Sequence, residues 1–103
     1  MSYTEYFPPH LSYIPMPPGA TINPASVEWS EMWPGAGYTR LLHWAQFEIP
    51  QATASIEGLQ HPDGSYSRGL VLYIDRDGEL TASDARQVAA LLLNAADALD
   101  ELQ

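Results

Sequence analysis

The stretch that decides the fold is TASDARQVAALLLNAADALDEL, residues 81–102. Thr81 to Asp84 resembles a capping box, with Asp in place of the usual Glu three residues into the helix. Leu80 before it and Ala85 after it match a small hydrophobic staple. From Ala82 onward the residues are strong helix formers, with neither Gly nor Pro among them. Val88, Leu91, Leu92, Ala95, Leu99 and Leu102 recur at three- and four-residue spacing and give one apolar stripe. Ser83, Gln87, Asn94, Asp97 and Glu101 lie opposite. Asp97, Asp100 and Glu101 crowd the C-terminal end, where the helix dipole disfavours anions, so fraying is expected there unless a basic group covers it.

Upstream of the helix the pattern is that of strands. His61-Pro62-Asp63-Gly64 reads as a hairpin turn. It separates a strand over 53–60 from another over 65–74, whose Leu, Val, Tyr and Ile fall on both faces and place it centrally in a sheet. Gly69 marks a bulge or a close packing contact. Residues 38–49 alternate with period two, and Pro50 ends them. Residues 25–31 alternate as well, with Val27 and Trp29 on one side, and Met32 to Gly37 forms a turn around Pro34-Gly35. The expectation is an α+β domain: a four-stranded antiparallel meander over 25–103, with one C-terminal helix packed on one face.

Residues 1–24 differ. They hold Pro8, Pro9, Pro15, Pro17, Pro18 and Pro24, six of the nine prolines, with Tyr3, Tyr6, Phe7 and Tyr13 among them. Proline fixes φ and removes a donor, so an extended proline-rich N-terminal arm is expected. Trp29, Trp33, Trp44, Tyr66 and Tyr73 exceed what one helix can hide. The second sheet face therefore falls to the arm, around Tyr3–Tyr13, or to another chain.

The run from Gln60 to Tyr73, followed by Leu80-Thr81 and Ala85 to Leu92, resembles a pattern in small acidic proteins of actinobacteria and their phages, mostly uncharacterised. In those a strand pair around an Asp-Gly turn precedes a Leu-Thr cap and an Ala-Arg-Gln helix. The resemblance spans about residues 59–101 and implies no functional residue.

Composition narrows the function classes. The chain has 103 residues, room for one domain. Thirteen acids face four bases, all arginine, for a net charge of -9. Phosphate contact needs a basic strip, so direct nucleic-acid binding and binding to anionic membranes are disfavoured. No apolar run is long enough to span a bilayer, and no leader peptide is visible. With no cysteine there is no disulfide or thiolate site, and a cytoplasmic setting is the simplest.

Catalytic patterns are missing. No Gly-x-Ser-x-Gly elbow occurs, and Gly35-Ala36-Gly37 is not a phosphate-binding fingerprint. His10, His43 and His61 match no metal spacing, and a hydrogen-bonded structural role is expected for His43. Asp75, Asp77, Gly78 and Asp84 resemble part of a calcium loop, but the first ligand position is Tyr73, and an Asp-Gly turn before a capped helix explains the same residues. No cofactor, metal or catalytic residue is therefore assigned, and a non-enzymatic role is expected. The positive signal is Trp33, Tyr38 and Arg40 around a Pro-Gly loop, residue types that dominate interface energies. Either Trp33 folds back onto its own sheet or it meets a partner. The reading is an adaptor or inhibitor that binds another protein through this loop, an aromatic sheet face and the arm. The alternatives are a virion-type structural or assembly subunit and an acidic nucleic-acid mimic. Unprotected sheet edges further predict a homodimer.

Overall fold

The computed structural model describes residues 9–24, 28–75 and 79–102. A 3-10 helix at Pro9–Tyr13 precedes β1 (Thr21–Ile22), β2 (Arg40–Ile49), β3 (Ala52–Gln60), β4 (Gly69–Ile74) and α1 (Ala82–Glu101). The strands form one four-stranded antiparallel sheet in the order β1-β2-β3-β4, and α1 packs against it. The α+β meander expected from the sequence is therefore the fold.

Three local expectations are corrected. The first strand is not at 25–31 but at Thr21–Ile22, inside the proline-rich segment, where it pairs with His43 and Leu42. Period-two alternation at 28–31 instead serves a single bridge, Ser30 to Thr39, and residues 25–27 lie outside the described ones. Nor is the strand before the helix central: β4 is an edge, and the apolar residues on both its faces are exposed from Val71 to Ile74. Finally, the N-terminal arm is not simply extended, since it carries the 3-10 turn and β1.

Contacts divide the chain into two compact units. One takes Ala45–Ile56 and the chain from Gly69 onward. Its core sets Ala52 and Ala54 of β3 against Val88, Leu91 and Ala95 of α1, with Phe47, Ile49, Leu70, Leu80 and Leu92 around them. The two alanines on β3 let the helix approach closely, while Val88 and Leu91 each add about 1.5–3 kcal/mol of burial. The capping box is present. Asp84 N–H donates to Thr81 Oγ1 at 3.0 Å, and Thr81 N–H donates to Asp84 Oδ2 at 3.2 Å. Asp84 Oδ1 also accepts from Gln51 Nε2 at 2.9 Å, which ties the first helical turn to the β2–β3 connection. No basic residue stands in the last turn, yet the helix continues to Glu101. The sheet face away from α1 carries exposed Gln46 and Glu48 on β2 and exposed Val71 and Tyr73 on β4, with Ser55 of the central strand buried between them.

The other unit takes the chain up to Trp44 together with Glu57–Arg68. Leu11, Trp29 and Leu42 are buried in it. The 61–64 turn is as expected: Gly64 has φ 90°, Gly64 N–H donates to the His61 carbonyl, and Gln60 bridges Tyr66. Asp63 Oδ1 accepts from Ser65 N–H and Oγ, and these bonds hold its carboxyl below the ordinary value.

Close packing falls at Gly58 rather than Gly69. A methyl group on Gly58 would overlap the Ser67 carbonyl and press on Trp44 Cζ3 at 3.1 Å, whereas around Gly69 the space is open. Gly58→Ala is expected to lower stability by about 3 kcal/mol, and Gly69→Ala to leave it nearly unchanged. Urea unfolding of the two variants side by side checks the contrast.

Candidate functional site

Residues 31–38 form a loop whose base is closed by two backbone hydrogen bonds between Ser30 and Thr39, at 3.0 and 2.9 Å. Gly35 and Gly37 adopt φ of 86° and 90°, a conformation that disfavours side chains. These turns aim both glycine N–H groups at one carboxylate: Glu31 Oε2 accepts from Gly35 at 3.2 Å and from Gly37 at 3.1 Å. Ala36 N–H donates to the Trp33 carbonyl at 3.0 Å. The loop is thus folded around Glu31, and its apolar side chains point out. Met32 is 75% exposed and Trp33 63%. Trp33 does not fold back onto the sheet.

The three residues singled out from the sequence part company. Trp33 stands at the loop tip, and Tyr38 is half-buried. Arg40 is only 2% exposed, and its guanidinium is consumed inside the protein, which corrects its assignment to a partner surface. Arg40 Nε and one terminal nitrogen donate to Gln60 Oε1, the same terminal nitrogen donates to the Ile14 carbonyl at 2.9 Å, and the other pairs with Glu28 at 3.2 Å. The guanidinium also lies 4.6 Å from the Trp29 ring centroid, a cation–π contact. Burial pushes the Arg40 guanidinium below its ordinary value, and Glu28 opposes that shift.

Gln60 completes the arrangement. Its amide donates to the carbonyls of Pro15 at 3.0 Å and Gly64 at 3.2 Å. Nearby on the chain, Trp44 Nε1 donates to the Pro18 carbonyl at 3.0 Å. The segment 14–18 is thereby received by donors alone: a guanidinium, an amide and an indole. Proline explains the match, because a proline-rich segment has few N–H groups and many free carbonyls. The described part of the arm packs on its own chain through Leu11 and these carbonyls. Tyr13 is 85% exposed and covers nothing, while Tyr3, Tyr6 and Phe7 lie outside the described residues.

Trp44 also carries Arg68 at 5.3 Å and Tyr66 at 5.9 Å, a half-exposed aromatic cluster on the same unit. Sequence reading missed Glu31, Met32 and Gln60. For Glu31 the signal was available: a carboxylate followed at four and six residues by glycines of a Pro-Gly turn has two unhindered donors in reach.

Among the described residues no group of His, Asp or Glu has the proximity to hold a metal ion. Asp84 is spent on the helix cap, and Asp77 lies outside the described residues. His43 Nε2 is buried without a hydrogen-bond partner, contrary to the bonded role expected for it. No described helix is long and apolar enough to cross a membrane. No protein-family model, curated protein or solved structure matches the chain.

Arg40→Lys retains the charge and loses the fork that reaches Gln60, Ile14 and Glu28 together. A loss of about 3 kcal/mol is expected, measured as a lower urea midpoint at unchanged slope.

Proposed function

We propose that this is a non-enzymatic protein-binding protein, an adaptor or inhibitor working in the cytoplasm, that engages its partner through the Met32–Trp33 loop. One observation carries the reading: a loop organised around Glu31 holds Met32 and Trp33 outward, 75% and 63% exposed. Exposing two large apolar side chains side by side forgoes several kcal/mol of burial. Internal hydrogen bonds that hold the loop in that shape also lower the ordering cost of binding. The partner face that fits is an apolar pocket wide enough for an indole. Arg40 supports the loop's base from inside, one residue beyond the Ser30–Thr39 bridge.

An arm that reaches to neighbours, as an assembly subunit would use, is less well supported, because residues 11–22 are engaged within their own chain. Nucleic-acid mimicry needs carboxylates set along one face, and Glu28, Glu31 and Asp84 are instead spent on internal bonds.

A photo-crosslinking residue at position 33, compared with one at Asn94 on the exposed side of α1, tests the reading in cells. The expected result is one heavier adduct from position 33 alone. Trp33→Ala is expected to weaken binding of the captured protein by about 2 kcal/mol, with little dependence on salt. An adduct of twice the chain's mass would place the loop in a self-contact and overturn the reading. So would the absence of any adduct together with turnover of a metabolite by the purified protein.

A further inference from the structure

The open flank of β4 lies outside the Met32–Trp33 loop and stands on separate observations. Val71, Leu72, Tyr73 and Ile74 are 36–47% exposed, and the strand Gly69–Ile74 contains no charge and no proline. Edge strands ordinarily carry Lys, Pro, a bulge or an inward charge to prevent further pairing. Hydrogen bonds to β3 fix the phase of this edge. Ser67 N–H donates to the Leu59 carbonyl and Asp75 N–H to the Gln51 carbonyl, each at 2.9 Å, and the two bonds share one register. Odd-numbered residues of β4 therefore turn their backbone groups toward β3. Alternation leaves the N–H and C=O of Leu70, Leu72 and Ile74 facing outward.

We propose that the occupant of this edge is a second copy of the chain, with two β4 strands pairing antiparallel across a twofold axis at Leu72. An axis normal to the sheet keeps each side chain on its own face, so residues of like parity meet. With Leu72 on the axis, every outward backbone group from Leu70 to Ile74 finds a partner: Leu72 meets Leu72 of the partner subunit, and Leu70 meets Ile74 of the partner subunit. Val71 meets Tyr73 of the partner subunit, a β-branched–aromatic pair of the kind that stabilises sheets. Asp75 falls opposite Gly69 of the partner subunit, so no carboxylate faces another, which matters in a chain of net charge -9. Moving the axis to Tyr73 sets Asp75 against Val71 of the partner subunit. Moving it to Val71 sets Arg68 against Ile74 of the partner subunit. Of the three registers only the one centred on Leu72 sets neither Asp75 nor Arg68 against an apolar side chain. One strand pair buries less than about 1,200 Å² in total, the range of weak and transient contacts, so a micromolar dimer is expected.

Sedimentation equilibrium on the full chain, across the micromolar range, should show a monomer–dimer equilibrium. Leu72→Pro removes an N–H that β3 does not use, so the protomer should keep its circular dichroism and lose the dimer. Leu72→Lys and Leu72→Glu should each be monomeric, and an equimolar mixture should dimerise again. The chain has no cysteine, so Leu72→Cys supplies a single thiol. Its mate would lie about 5.5 Å away between Cα atoms, within disulfide reach, and mild oxidation should give a covalent dimer much faster than for Asn94→Cys. A wild type that stays monomeric into the high micromolar range, a dimer that survives Leu72→Pro, or equal oxidation of the two cysteine variants would overturn the proposal. If Leu72→Pro fails to fold, the Lys and Glu variants decide.

Discussion

The Arg40 guanidinium is a full positive charge taken almost completely out of water, and its unit is arranged around keeping it satisfied. Isolating such a charge costs several kcal/mol, so each acceptor around it is in effect obligatory. Gln60 brings the end of β3, Glu28 brings the segment before the loop, and Ile14 brings the arm. Those residues are 12 to 26 positions from Arg40 in sequence. One side chain therefore closes three loops, and Trp29 roofs it with an aromatic face. Its worth lies less in net stability than in specification, because any misdocked arm would leave the charge short of an acceptor.

The helical unit achieves order by a different route. Its core is small, built on two alanines of β3 and a three-residue stripe of α1. Precision comes from the helix start, where Thr81 and Asp84 cap one another and Gln51 bonds the cap to the sheet. Gln51 also donates to Gln87 one turn on, and its carbonyl accepts from Asp75. A single polar residue in a tight connection thus registers helix and edge strand against the hairpin.

Helix and hairpin were legible in the sequence because their signals are local. The capping box, the Val88-Leu91-Ala95 spacing and the Pro-Asp-Gly turn each operate within a few residues. β1 was not legible: two residues of strand between prolines carry no periodicity, and only the neighbouring β2 makes them a strand. The edge position of β4 was hidden for a related reason, since apolar residues on both faces look the same whether the flank is paired or open. In the candidate site, Trp33 was recognisable from its loop. Arg40 was misread because an arginine near a tryptophan and a tyrosine looks alike at an interface and in an interior. What distinguishes the two is acceptors supplied from far along the chain, and spacing does not reveal them.

Donors contributed by Arg40, Gln60 and Trp44 meet main-chain oxygens of Ile14, Pro15 and Pro18, not their side chains. Recognition of that kind is blind to residue identity so long as the backbone keeps its path. Side chains at the exposed positions of 13–19 are therefore free to vary, while Leu11, which is buried, and the three donors are held. Descendants of a common ancestor would then share an arginine, a glutamine and a tryptophan at fixed structural positions, and in the arm its prolines and an apolar residue at position 11. Kinship among such chains is better sought in the geometry of the receiving donors than in alignment of the segment they receive.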